Sequence, residues 1–215
     1  QSTANPTLTW EPTIATNFAL DMAFLDNKLQ ATIDVFKNET VDLVAQDTNK
    51  ISSTAIDAGA PYVNLGSMET TGFDLSLSYD DVTDGGLTYS ISAEIGKYKT
   101  EMVELIGEFY SGATDRGINF TRTSPGEPIS YFYGRKVLGI FQNDAEVAAH
   151  ASQDGAGVGR FKYEDINNDG VINDADRTKI GDPHPDLLFG VNMNFQYKTW
   201  DMSMFWHGSL GHDSF

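Results

Sequence analysis

The stretch Val191-Asn192-Met193-Asn194-Phe195-Gln196-Tyr197-Lys198-Thr199-Trp200-Asp201-Met202-Ser203-Met204-Phe205-Trp206 decides the fold. Val191, Met193, Phe195 and Tyr197 alternate with Asn192, Asn194 and Gln196; after Lys198-Thr199, Trp200, Met202, Met204 and Trp206 oppose Asp201 and Ser203. A period of two is the side-chain period of a β-strand, so two such runs joined by two polar residues read as a hairpin with one apolar face. The pattern recurs upstream. Phe18, Leu20, Met22 and Phe24 alternate with Asn17, Ala19, Asp21 and Ala23, Asp26-Asn27 turns the chain, and Leu29, Ala31, Ile33 and Val35 oppose Gln30, Thr32, Asp34 and Phe36. Phe73, Leu75, Leu77 and Tyr79 alternate with Asp74, Ser76, Ser78 and Asp80; a turn from Asp81 to Gly86 leads back through Leu87, Tyr89, Ile91, Ala93 and Ile95. About six strands are expected.

The connections alternate in length. Asp26-Asn27, Asp81 to Gly86 and Lys198-Thr199 are short, whereas 46–63 and 100–186 are long, polar and glycine-bearing. Within 100–186, a short hairpin is expected through Ile129 to Phe141 and a short helix from Asp144 to His150. Short turns on one side and long loops on the other are the asymmetry of an outer-membrane barrel, which makes the short turns periplasmic and the long stretches extracellular. Trp10, Phe36, Tyr79, Tyr98, Tyr197, Trp200 and Trp206 lie near strand ends, where interfacial aromatic girdles form. A soluble, calcium-stabilised β-rich module or adhesin with the same alternation is the competing reading, since periodicity alone does not separate lipid from a second sheet. No run is long and apolar enough for a membrane helix, and Gln1 to Pro6 lacks a basic segment leading into an apolar one. Six strands cannot close a wide barrel, and lipid tolerates no unpaired edge, so a membrane barrel requires further strands beyond these residues.

Composition narrows the chemistry. The chain carries 31 Asp+Glu against 14 Lys+Arg, a formal charge of −17, which excludes a basic footprint for nucleic acid. Cysteine is absent, so disulfides, thiol nucleophiles and thiolate metal sites are excluded. One motif has metal-ligand spacing: Asp165-Ile166-Asn167-Asn168-Asp169-Gly170-Val171-Ile172-Asn173-Asp174-Ala175-Asp176. It matches a twelve-position calcium loop, in which a hard cation gathers six to eight oxygens and a glycine at position 6 makes the sharp turn. Asp165, Asn167 and Asp169 would each supply a side-chain oxygen, Val171 its carbonyl, Asn173 a direct or water-bridged contact and Asp176 the closing carboxylate. The Asp at position 12 resembles the dockerin kind of loop, and a structural Ca2+ that stiffens an outer loop is expected. Without the ion, the same residues would be an Asx-glycine turn. Glu101, Glu104 and Glu108 read as a solvated face, and His150, His184, His207 and His212 lack metal-ligand spacing. There is no G-x-S-x-G elbow and no phosphate loop, so no enzyme is expected.

The order of these segments resembles the SusC/RagA-like TonB-linked receptors of Bacteroidetes. Leu8-Thr9-Trp10-Glu11-Pro12 leading through Phe24-Leu25-Asp26-Asn27-Lys28-Leu29, then Val63-Asn64-Leu65-Gly66 with Gly72 to Leu77, is similar to the family's successive loop-to-strand passages. Pro128-Ile129-Ser130-Tyr131-Phe132-Tyr133-Gly134 with Gly139-Ile140-Phe141-Gln142 is similar to its outer-loop hairpin. The most specific block is Phe161 to Arg177 followed by Ile180-Gly181-Asp182-Pro183, Pro185-Asp186 and Phe189-Gly190. Asp182 and His184 stand where the family more often carries Asn and a small or apolar residue. The resemblance implies an all-β transmembrane antiparallel barrel, with residues 1–215 a segment of the C-terminal half of a 22-stranded barrel and 100–186 a long extracellular loop region. It implies residence in the outer membrane, TonB-dependent import of glycans or peptides, and a SusD-like surface lipoprotein as partner. Plug and TonB contacts would lie in other residues. Tyr110, Asn119, Tyr131 and Tyr133 are candidate ligand contacts, because aromatic faces with nearby polar groups suit an oligosaccharide or peptide.

Overall fold

A computed structural model describes residues 5–46, 61–108, 110–111, 114–115 and 118–214. The chain divides into two compact units, one formed by residues 1–109, 124–129 and 184–212 and the other by 110–123, 130–183 and 213–215.

The first unit is a six-stranded antiparallel sheet. Its strands are Thr13–Phe24, Leu29–Thr40, Gly66–Val82, Leu87–Leu105, Leu187–Tyr197 and Trp200–Leu210, and they pair in chain order. Each short connection has the backbone its residues favour. Asp26 and Asn27 both adopt positive φ, and Lys28 N–H donates to the Leu25 carbonyl at 3.1 Å, the primed geometry that matches strand twist. Tyr197 pairs directly with Trp200 across Lys198, also at positive φ, and Thr199. The third and fourth strands are 17 and 19 residues long, so the ladder continues well past the alternating apolar core of each. The fourth strand reaches Leu105, which moves the start of the second long connection outward from residue 100.

Register converts the alternation into two continuous faces. Leu20 pairs with Ile33, Ile33 with Leu75, Leu75 with Ile95 and Ile95 with Phe189. Met22, Ala31, Leu77, Ala93, Val191 and Trp206 form the next row. The opposite face carries Asp21, Thr32, Ser76, Glu94, Gly190 and His207 in one row. Tyr79, Tyr197 and Trp200 lie on the apolar face toward the short turns, as an outward girdle requires; Trp206 shares that face but pairs with Val191 in the interior of its strand. Phe36 and Tyr98 do not. They flank Gly72 in register on the polar face, where a Cβ at Gly72 would stand 2.6 Å from the Phe36 ring. The parity of those two positions, not their closeness to strand ends, sets the side they occupy.

The buried apolar side chains among the described residues are Ala31, Leu65, Met102, Tyr131, Phe141 and Ile172. This core is too small for a soluble sandwich, while Phe18 is 71% exposed, Trp206 63% and Met202 50% on the apolar face. A continuous apolar sheet face left open by the protein is a surface for another apolar medium. The fifth strand presents apolar side chains along 11 residues. That is about 33 Å of strand and about 25 Å of bilayer at a tilt near 40°, the height of an outer-membrane barrel's apolar band. No helix among the described residues is long and apolar enough to cross a membrane.

The second unit contains short strands. Arg177–Gly181, Tyr131–Arg135, Thr121–Thr123 and Tyr110–Ser111 form a four-stranded sheet in that order. Val137–Ile140 pairs instead with Phe161–Tyr163. The hairpin expected through Ile129 to Phe141 is therefore not formed, because its two halves pair with different, more distant strands. The expected helix is present at Asp144–Ala149, capped by Asn143, whose side chain accepts from Glu146 N–H at 2.9 Å.

Candidate functional site

The twelve-residue acidic loop folds on its own side chains. The two Asp165 carboxylate oxygens accept N–H bonds from Asp169 at 3.2 Å and Gly170 at 2.8 Å. Asn167 Oδ1 accepts from Asp169 N–H at 3.0 Å, and Asp169 Oδ1 accepts from Val171 N–H at 2.8 Å. Asn167 Nδ2 donates to Asp169 Oδ2 at 2.9 Å. Asn168 and Gly170 adopt positive φ, the left-handed backbone that lets the chain wind inward.

The loop closes on a capping box. Asn173 Oδ1 accepts from Ala175 N–H, Asp176 Oδ2 accepts from Asn173 N–H, both at 2.8 Å, and a short 3-10 turn Asp174–Asp176 follows. Asp176 is fully buried, and its other oxygen accepts from Ile166 N–H at 3.0 Å, tying the two ends of the loop together. The Asn173 N–H bond, working against burial and joined by N–H bonds from Ile166 and Asn167 and by the Arg135 charge, holds the Asp176 carboxyl below its ordinary range. Arg135 donates to the Asn173 carbonyl and to Asp174, both at 3.1 Å, and so fixes the loop to the four-stranded sheet. Strands flank the loop, Phe161–Tyr163 before it and Arg177–Gly181 after, and no helix pair is present to act as a switch.

The donor set is all oxygen, which is the chemistry a hard divalent cation requires. Among the described residues no three acidic or imidazole side chains gather as a metal centre by themselves. The fit to calcium therefore depends on the Asn167 and Asn173 amides and the Val171 carbonyl as much as on the carboxylates. Asn173 Nδ2 already donates to that carbonyl at 3.2 Å. A carbonyl has two lone pairs, so this bond leaves one for an ion.

The ligand candidates separate. Tyr131 is buried and meets Tyr133 edge-on at 6.3 Å between ring centroids. Tyr133 is half-buried, with the Arg122 and Arg177 guanidinium carbons 4.5 and 4.9 Å from its ring centroid, while Lys179 stands 5.6 Å from that of Tyr131. Asn119 is exposed, and its carbonyl accepts from Arg177. The Tyr110 backbone pairs with Thr123, but its side chain lies outside the described residues, as does most of the first long connection, 47–60. The cations around the tyrosines are the part that reading along the chain missed. Arg122 and Arg177 are 55 residues apart, and only the sheet brings them to one ring.

Comparison with known proteins agrees with this architecture. Residues 1–207 match the family model described as TonB dependent receptor-like, beta-barrel. TonB-dependent receptor P26 of Formosa agariphila is 30% identical over 213 residues, which is 98% of this chain and 21% of that protein. TonB-dependent receptor SusC of Bacteroides thetaiotaomicron is 25% identical over 215 residues, covering 96% of this chain and 20% of SusC. A solved structure of the RagAB peptide transporter superposes with a TM-score of 0.72 at 20% identity, over 96% of this chain and 21% of the solved one. The chain thus spans about a fifth of the length of these relatives. With a two-faced antiparallel sheet and a family match over nearly its whole length, this chain belongs to the TonB-dependent receptor β-barrel family of the outer membrane.

Proposed function

We propose that this chain is a wall segment, with its extracellular loops, of a TonB-dependent importer of glycans or peptides. The observation that carries the proposal is the sheet with one polar face and one continuous apolar face that the described residues leave exposed, the arrangement of a barrel wall between hydrocarbon and an aqueous lumen. Residues 1–215 then belong to a single barrel domain, and the short turns assign the connection between Leu105 and Leu187 to the cell exterior. That loop region, stiffened by Ca2+ at Asp165, Asn167, Asp169, Val171, Asn173 and Asp176, would form part of the rim over which a SusD-like lipoprotein closes. Energy would come from TonB through segments outside this chain. Tyr110, Asn119, Tyr131 and Tyr133 are the proposed ligand contacts of the rim.

The test is uptake in the cell. A strain lacking the full receptor gene loses growth on one glycan or peptide class and keeps it on the others, and a surface lipoprotein co-purifies with the tagged receptor. Unchanged growth across the whole panel, with no co-purifying lipoprotein, overturns the importer reading.

A further inference from the structure

The outward face of the sheet carries a charged band just beyond its apolar belt. Lys97 stands opposite Phe73 in register, in the row of Phe18 and Val35. The next row toward the long loops contains Thr16, Lys37, Thr71 and Lys99, and the one after it Ile14, Glu39, Glu69 and Glu101. Lys37 pairs with Glu39 at 2.7 Å and Glu69 at 2.9 Å, and Lys99 with Glu101 at 2.6 Å. At the short-turn end, Lys28 pairs with Asp81 at 2.7 Å and Lys198 lies over the Tyr197 ring. Lys97 is different: it is exposed, and among the described residues no acidic side chain pairs with it.

An ammonium level with Phe73, on a face wetted by hydrocarbon, is costly unless its aliphatic stem carries it up to an anion at the headgroup level. Lys97 and Lys99 are two residues apart on one face of one strand, roughly 7 Å, and Lys37 lies two strands across from Lys99, about 10 Å. Three ammonium groups at that spacing can close on a single phosphorylated headgroup, because each lysine stem is long and flexible. The glutamate row fits the same ligand. It positions the Lys37 and Lys99 ammonium groups through those ion pairs, and it offers carboxylates to divalent cations that bridge neighbouring phosphates.

The geometry points to a phosphate-binding patch formed by Lys37, Lys97 and Lys99 for the headgroup of an outer-leaflet phosphoglycolipid. This inference rests on the barrel orientation proposed above, which puts the band at the extracellular leaflet. Full-length receptor in detergent is titrated with a bisphosphorylated glycolipid, its dephosphorylated form, phosphatidylglycerol and inorganic phosphate, and the bound fraction is read by native mass spectrometry. The bisphosphorylated glycolipid binds, the other three ligands bind at least about tenfold more weakly, and the combined K37Q, K97Q and K99Q variant loses at least about tenfold in affinity. Lys28→Gln, at the other end of the belt, retains it. Equal binding of phosphorylated and dephosphorylated glycolipid, or unchanged binding by the triple variant, overturns the patch; equal binding of phosphatidylglycerol or inorganic phosphate overturns the glycolipid assignment. Should the triple variant fail to fold, the single Lys97→Gln variant, which removes no ion pair, carries the same comparison. A wild-type receptor that never reaches the outer membrane overturns the barrel reading instead.

Discussion

Asp165 accepts N–H bonds from the far side of its own loop, and that single residue anchors the geometry a cation would use. Its replacement by Ala leaves the Gly170 N–H without its acceptor, takes one of two acceptors from the Asp169 N–H and removes a carboxylate from the donor set. Calorimetry of calcium titrated into the chelator-treated full receptor is expected to show binding that weakens at least tenfold in Asp165→Ala and is unchanged in Asp154→Ala, outside the loop. No heat in the parent protein would dispose of the site. The spacing of these oxygens was legible along the chain because a calcium loop is local: twelve consecutive residues hold the whole pattern. Its attachment was not, since Arg135 reaches Asn173 and Asp174 across 38 and 39 residues. Gly72 shows the same limit. Nothing beside it in the chain indicates that the Phe36 ring covers it.

At the scale of the strand, alternation determines which side chains meet lipid. Leu77 sits near the middle of the belt, in the row of Ala31, Ala93, Val191 and Trp206, while Ser78 faces the other way beside Gln30 and Ser92. Leu77→Arg is expected to destabilise the full receptor by about 2–4 kcal/mol, the midplane cost of a lipid-facing arginine, and Ser78→Arg by much less. Urea midpoints of the receptor folded into lipid vesicles measure both. Equal effects at the two positions would mean that the faces are not lipid and lumen. The apolar core of each strand was readable from its sequence, but the ends were not. Past Thr100 the fourth strand carries Glu101 and Glu104, so the hydropathy pattern fades while the backbone ladder continues to Leu105. The segment through Ile129 to Phe141 shows a second limit. A strand's partner is chosen by hydrogen bonding and packing with whatever reaches it, and Tyr131–Arg135 takes Arg177–Gly181 in place of its neighbour Val137–Ile140.

For the molecule as a whole, six strands with open edges and a bare apolar face do not make an independent soluble domain. Residues 1–215 expressed alone are expected to aggregate in buffer and to show no cooperative thermal transition; a monodisperse, cooperatively melting fragment would favour the soluble-module alternative. By itself the sequence determined the period of two, the alternation of short turns with long connections, the acidic balance, the calcium-type spacing and the family resemblance. All of these are written in residues close together along the chain. Only the tertiary structure decided which strand pairs with which in the loop region, that two arginines meet the Tyr133 ring, and that Glu39, Glu69 and Glu101 share one row with lysines beside them. Those arrangements depend on cross-strand register, which backbone hydrogen bonds set between segments that sequence separation keeps apart.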